Sequence, residues 1–543
     1  MAKFSKPVEC LALGYLGAAL RAEDVEVTLI DGMLYDWNEY TTAIRILESD
    51  PNVIGITCVL DYFPASIATL TRILRDRGFT GLIVVGGHAV SFMPAEILAG
   101  CRSIDAVVSG EGEEAICAIA RAAGRRSPLA AIPGVTCRDA DTIIRNLPHR
   151  NKDLNALPLP LRDLTPAVIA NDGLIAVSTS RGCFARCSFC SIPRFYGLQY
   201  GDEATGGWLS SSVERCVGEI VVIHERFGVR ELLIVDDEFI GDVGGRGYGH
   251  ERAVQFGRRL REAGCHVEFA MSCRAENVNE HTLEQLMLGG LAHVFVGLEA
   301  GTDEDLRLYG KGHTVKENAD AVATIRRLGL SFQPGFMLFN HRSTLRSVVR
   351  GLEFLQEIGE CKPSTINSAV DPHFGAPLTA DMRRRGAITI GARAQRAECL
   401  DPAVATVRDV AELCADRFRP FMGFIARIQS AVTYEWRRKV PGRSADVQFA
   451  IDAFEARVNA GFTSIVIDAA RWLDSSAGDV VSVVGEATER LNELIQDLTL
   501  AQALLVSYVG TREGAVRYWS QQDVIAADRR VGNADYGESH NSR

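Results

Sequence analysis

The sequence predicts an α/β chain with three parts: a doubly wound parallel sheet, a partial (β/α)6 barrel and a C-terminal helical domain. Three observations carry this. Short β-branched runs alternate with amphipathic stretches through residues 1–145. The alternation resumes after a proline-rich connector and runs to residue 395. From Gly442 onward there is no proline, and apolar residues recur at helical spacing, as in Gly485 to Val506. The limits read as 1–145, a linker at 146–170, then 171–395 and 396–543. A chain of 543 residues exceeds what one core holds, so several domains are expected.

Composition narrows the function classes. The chain is 47% hydrophobic and 23% charged, with a net charge of -11, which argues against a broad nucleic-acid surface. No apolar run is long enough to span a bilayer. Lys3 and Lys6 precede CLALGYLGAAL, but no small-residue cleavage site follows, so this run reads as a buried helix. Most of the 14 cysteines are scattered singly in apolar segments, such as Cys10, Cys58 and Cys117. They read as reduced core residues, which points to the cytoplasm.

In the first domain, strands are expected at Val25 to Asp31, Asn52 to Leu60, Gly81 to Gly87 and from Asp105. Helices are expected at Thr41 to Ser49 and Ser66 to Gly78. Ligands of such sheets sit at the carboxyl ends of the strands. Three loops fall there: Thr57 to Asp61, Gly86-Gly87-His88 and Gly110-Glu111-Gly112. Their glycines permit close backbone approach to a large flat or phosphate-bearing ligand.

Arg145 to Pro166 carries four prolines and reads as an extended connector. Six strands are then expected: Leu174 to Ser180, Glu231 to Asp237, His266 to Ser272, Ala292 to Glu299, Leu330 to Phe339 and Ser364 to Val370. The first runs into CFARCSFC, which places Cys183, Cys187 and Cys190 on one loop at C-x3-C-x2-C spacing. Three thiolates suit a four-iron cluster with one iron left open. A zinc site would want a fourth Cys or His nearby, and residues 191–215 contain neither.

Other strand ends are polar. Asp236, Asp237 and Glu238 follow a buried strand, and such a run must be solvated, capping a helix or bound to something cationic. Arg274 and Glu299 end the next two strands. A glycine-rich stretch, Gly241 to His250, reads as a loop over this face, and His341 and Arg342 read as solvated. Asp371 to Gly386 is placed to close the barrel mouth. The aromatics Phe418, Phe421, Phe424 and Trp436 read as core. The tail after Arg529 reads as frayed.

The cysteine spacing, with Phe189 before the last cysteine, resembles the radical SAM family. The segments LGYLGAALR, VVGGHAVSFMPAEIL and DAVVSGEGEEA are similar to the cobalamin-dependent branch of it. The resemblance implies a [4Fe-4S] cluster on Cys183, Cys187 and Cys190, with the open iron binding S-adenosylmethionine. It implies that Asp236 and Glu238 lie near the amino group of S-adenosylmethionine and Glu299 near its ribose; Arg274 would pair with the carboxylate. Cobalamin would lie against Thr57, Gly86, Gly87, His88, Gly110, Glu111 and Gly112. No D-x-H-x-x-G is present, so no histidine is placed to ligate cobalt from below, and His88 reads as a loop residue near the corrin. Roughly nine residues precede the first helix, so the family's first strand is expected to be missing or very short.

The implied activity is methyl transfer to a carbon of a small natural-product intermediate, free or carrier-bound, with an electron donor such as flavodoxin or ferredoxin. The alternative is a radical rearrangement, cyclisation or dehydrogenation without methyl transfer. No residue is assigned a catalytic role, and neither nucleic acid nor membrane is an expected partner.

Overall fold

The computed structural model describes residues 7–58, 65–125, 128–139, 142–201, 207–241, 248–390, 395–429, 445–475 and 480–513. Lys3, Lys6, loop residues 59–61, the stretch 242–247, Trp436 and the tail after Arg529 lie outside them. The chain divides into two compact units. The first is Met1–Glu299, Asp303–Gly335 and Val370–Glu398; the second is Ala300–Thr302, Phe336–Ala369 and Cys399–Arg543. Both sheets lie in the first unit.

The N-terminal sheet has five strands. Val53–Cys58, Leu82–Gly87 and Ala106–Val108 run parallel, and an antiparallel hairpin, Val135–Asp139 and Thr142–Arg145, extends the edge. Pleating sends alternate residues to opposite faces. Val84, Ala106 and Val108 pack on one face with Ala115 and Ile119, while Val85 and Val107 pack on the other with Ile67, Val90 and Leu98. Helix Ala65–Asp76 buries Ile67, Leu70, Thr71 and Leu74, one stripe at helical spacing.

One expectation for this domain changes. Val25 to Asp31 is not a strand. Its groups find other partners: Val25 N–H donates to Leu20 O at 3.1 Å, Val27 O accepts from Arg21, and Asp31 caps the N–H groups of Met33 and Leu34. The chain's first described residues also leave this sheet. Val8 bridges Leu174 in parallel, with Glu9 N–H to Leu174 O at 2.9 Å and Leu174 N–H to Pro7 O at 2.8 Å. Glu9 is buried, and its carboxylate accepts from Arg162 and Thr165. The apolar run after it is the buried helix expected, Leu11–Arg21.

The second sheet is parallel, in the order Ser331–Phe336, Leu291–Glu299, Glu268–Arg274, Glu231–Ile234, Ile175–Val177. Five of the six expected strands are present. The sixth, Ser364 to Val370, is a helical turn at Pro363–Ile366 followed by a single parallel bridge, Phe339 to Ala369. Proline at a first helical position is pre-set for helix, which overrides the β-branched Thr365 and Ile366.

The second unit contains the helices Leu345–Glu357, Pro402–Gln429, Ala445–Ser475 and Val480–Glu513. Phe418, Phe421 and Phe424 are core, as expected, with Phe418 edge-on to Phe462 at 5.5 Å. His341 is fully buried here rather than solvated, whereas Arg342 is exposed. Among the described residues no helix is long and apolar enough to cross a membrane.

Candidate active site at the strand ends

The cysteine loop leaves the edge strand of the second sheet and is fixed at both ends. Gly182, at φ +85°, has no room for a Cβ, which would meet Gly207 O at 2.5 Å. Ser188 donates its N–H to Tyr309 O at 2.8 Å and its hydroxyl to Leu308 O at 2.6 Å. Its own carbonyl accepts from Leu378 N–H at 2.7 Å, so the segment after residue 370 does reach this loop. Phe189 packs edge-on against the fully buried Tyr309.

The three acids after Ile234 brace that loop. Asp236 is buried, and its carboxylate accepts from Thr179 N–H at 2.6 Å, Thr179 Oγ1 at 2.5 Å and Ser180 Oγ at 2.7 Å. Asp237 accepts from Gly182 N–H at 3.1 Å, and its side chain is accessible. Glu238 is buried and accepts from Arg274 N–H at 3.0 Å and Asn277 Nδ2 at 2.8 Å. Burial pushes the Glu238 carboxyl up to about 7, against the pull of Asn277 and Arg274.

Around the next strand ends lies a buried ionic cluster. The Arg274 guanidinium donates to Glu276, to the Lys311 carbonyl and to Cys187 Sγ at 3.0 Å, and its carbon lies 5.7 Å from the Phe184 ring centre. Lys311, 4% exposed, reaches Glu299 at 3.2 Å. Glu299 sits at φ +66°, a left-handed conformation costly for a residue with a side chain. His313 Nδ1 stands 2.8 Å from Glu276 Oε2, off line for a hydrogen bond. Burial raises the Glu276 carboxyl, but His313, Arg274 and Lys311 more than offset it and hold the group at about 2.

Arg274, Glu299, Glu238 and Cys187 thus come together, with Asp236 committed to the strand-to-loop turn. Sequence reasoning missed Lys311, His313, Glu276 and Arg181. A signal for Lys311 exists: it stands between Gly310 and Gly312, both at positive φ, a cation presented by a forced turn.

At the N-terminal sheet, Thr57 pairs with Gly86 in register, and Cys58 with Gly87. Gly87, at φ +116°, lies so close to its neighbour that a Cβ would meet Cys58 O at 2.3 Å. Gly110 and Gly112 are likewise filled by protein, Pro148 and Leu16. His88 donates to or accepts from Ser191 Oγ at 2.9 Å and packs at a tilt against Phe92 and Phe195. Glu111 accepts from Arg181 Nη1 at 2.5 Å and Asn151 N–H at 2.8 Å, while Glu113 takes Arg181 Nη2 at 2.7 Å. Arg181 stands two residues before Cys183. The loops expected to meet a flat ligand therefore also hold the root of the cysteine loop.

The residues fit the implied cofactors. Burial pushes the Cys183 thiol up to about 12 and raises Cys190 further; in both, the charge of the neighbouring cysteines adds to it, so the thiols share one site. Among the described residues no three His, Cys, Asp or Glu converge tightly enough for a single metal ion. A cube that takes one thiolate per iron spaces its ligands more widely than that. At the N-terminal sheet, the Ser109 hydroxyl is buried without a hydrogen-bond partner among the described residues, beside Gly110 at the strand end. An amide-fringed macrocycle supplies the partner such a group lacks.

Known proteins share both halves of this arrangement. The B12 binding domain model matches residues 1–120, and the Radical SAM superfamily model matches residues 177–349. An uncharacterized methyltransferase of Pyrococcus horikoshii, PH0819, is 30% identical over 355 residues, which are 64% of this chain and 73% of the relative. The 4′-phospho-dehydrooxetanocin synthase of Priestia megaterium is 25% identical over 64% of this chain, which spans about half, 47%, of that protein. The cobalamin-dependent S-adenosylmethionine radical enzyme OxsB, solved with aqua-cobalamin and S-adenosylmethionine bound, shares the fold. Its TM-score is 0.73 at 18% identity, over 98% of this chain and 82% of that one. With a B12-binding half ahead of a radical SAM half, and a relative covered over 73% of its length at 30% identity, the chain belongs to the cobalamin-dependent radical SAM enzymes.

Proposed function

We propose that this enzyme methylates a carbon of a small natural-product intermediate. When bound, the cluster with S-adenosylmethionine supplies a carbon-centred radical and cobalamin carries the methyl group. Cys183, Cys187 and Cys190 would hold the cluster. Asp237 and Glu299 would orient S-adenosylmethionine, with Asp236 and Glu238 bracing the loops beside it. Thr57, Gly86, Gly87, His88 and Ser109 to Gly112 would face the corrin. The domain limits follow the sequence: 1–145, 146–170, 171–395 and 396–543. An oxygen-sensitive cluster suits the cytoplasm, with a flavodoxin or ferredoxin as reductant and a substrate that is free or carrier-bound.

The observation that carries this reading is the 2.9 Å contact between His88 and Ser191. It sets the rim of the N-terminal sheet directly against the residue that follows Cys190. Methyl transfer from a corrin to a radical carbon needs its two cofactor sites adjacent. The relative named as a synthase supports a second reading, a radical rearrangement, cyclisation or dehydrogenation without methyl transfer.

Reconstituted protein, a reductant and methyl-labelled S-adenosylmethionine, supplied with small-molecule fractions, separates the two. Methylation yields S-adenosylhomocysteine alongside 5′-deoxyadenosine and a labelled product. Formation of 5′-deoxyadenosine with converted substrate, but no S-adenosylhomocysteine, establishes the second reading instead.

A further inference from the structure

We propose that Arg274 sets the reduction potential of the cluster by donating a hydrogen bond to the sulfur of Cys187, and that Glu276 is the residue that positions it there. This rests on the reading that Cys183, Cys187 and Cys190 hold an iron–sulfur cluster, and it gives Arg274 a task other than pairing with a carboxylate.

Each guanidinium nitrogen of Arg274 has its own acceptor. Nε goes to Glu276, Nη2 to the Lys311 carbonyl and Nη1 to Cys187 Sγ at 3.0 Å. The backbone is pinned as well, through its N–H to Glu238 at 3.0 Å. The side chain is buried, at 8% exposure, and Phe184 covers its face. The three donors sit on three separate nitrogens of a planar fork; a lysine ammonium carries its three N–H groups on one atom and in this place would lose at least one acceptor. The second oxygen of Glu276 stands 2.8 Å from His313 Nδ1.

Cluster potential responds to charge and to hydrogen bonds at the ligand sulfurs. Reduction adds an electron that the sulfurs share, and a cationic N–H donor stabilises that added charge, strongly where water is excluded. Arg274 therefore raises the potential and makes the cluster easier to reduce. Glu276 works in the opposite sense by charge alone, since an anion nearby disfavours an added electron. Its net effect is set by whether it holds the donor in place.

The test is a redox titration of reconstituted protein followed by electron paramagnetic resonance, after iron and sulfide have been assayed. Arg274→Gln should shift the one-electron equilibrium against reduction by tenfold or more, which is about 59 mV more negative. Arg274→Lys, which keeps the charge and loses the fork, should move part of that way. Glu276→Met should also lower the potential, the reverse of what losing a nearby anion does. An unchanged potential in Arg274→Gln, a wild-type potential in Arg274→Lys, or a rise in Glu276→Met overturns the proposal. If Arg274→Gln does not assemble a cluster, the sign in Glu276→Met decides. Wild-type protein without iron or sulfide would instead overturn the cluster reading beneath it.

Discussion

The two sheets of the first unit present their strand ends in opposite ways. The rim of the N-terminal sheet is glycine-rich, and apart from the Arg181 pairs with Glu111 and Glu113 its shape is set by backbone lying against backbone, as where Gly87 meets the Cys58 carbonyl. The rim of the second sheet is a lattice of mostly buried polar and charged groups that already have partners: Asp236 with Thr179 and Ser180, Arg274 with Glu276, Lys311 with Glu299. A rim of the first kind recognises a large rigid ligand by surface fit. A rim of the second kind keeps donors and acceptors oriented for small polar groups, at the cost of burying ions that must never lose their partners.

That contrast can be broken at four places. The largest effect belongs to Cys187→Ala, which should reduce bound iron and sulfide to background and abolish 5′-deoxyadenosine formation; retention of both would remove the cluster from the second rim. Next, Lys311→Met strands Glu299 in a buried site and should cost roughly 3–5 kcal/mol in urea unfolding. Replacing Glu299 by Met as well should recover most of that, and additivity of the two losses would show that the rim is not a paired lattice.

At the glycine rim, Gly87→Ala should cost about 3 kcal/mol from strained φ and the clash with Cys58. Gly86→Ala should cost under about 1 kcal/mol, because its Cβ would meet only Val108 at an ordinary 3.6 Å. Equal costs would mean that backbone shape does not distinguish these positions. The fourth effect is a slope. The Glu238 carboxyl is raised from an unfolded value near 4.5 to about 7. A raised acid stabilises fully below its unfolded value and loses that contribution as pH rises through its folded one. Apoprotein should therefore lose stability between pH 4.5 and 7 more steeply than Glu238→Gln, by at most one proton, about 1.4 kcal/mol per pH unit. Parallel slopes would show Glu238 to be ionised throughout.

What the sequence made legible was local. Three cysteines within eight residues announce their chemistry without a fold, and an apolar run such as LLI is buried as its composition suggests. Strand-end residues such as Arg274 and Glu299 could be placed because a parallel sheet puts its carboxyl ends together. Their partners could not. Lys311 meets Glu299 across 12 positions and Arg274 reaches Cys187 across 87, and no periodicity encodes such pairs. Thr365 and Ile366 misled because a β-branched pair carries no mark of the helical turn that Pro363 begins. The hairpin at Val135–Asp139 and Thr142–Arg145 is a short antiparallel addition that a reading tuned to strand–helix alternation passes over.

The parallel bridge at Val8 has a consequence for how the molecule is made. Glu9 and the backbone of Ala176 meet across 167 positions, so Val8 and Glu9 leave the ribosome well before the linker and the cysteine strand that hold them. At ordinary elongation rates that is a delay on the order of ten to thirty seconds. The glycine-rimmed sheet can finish folding in that interval, while the bridge at Val8 waits for a strand made after it.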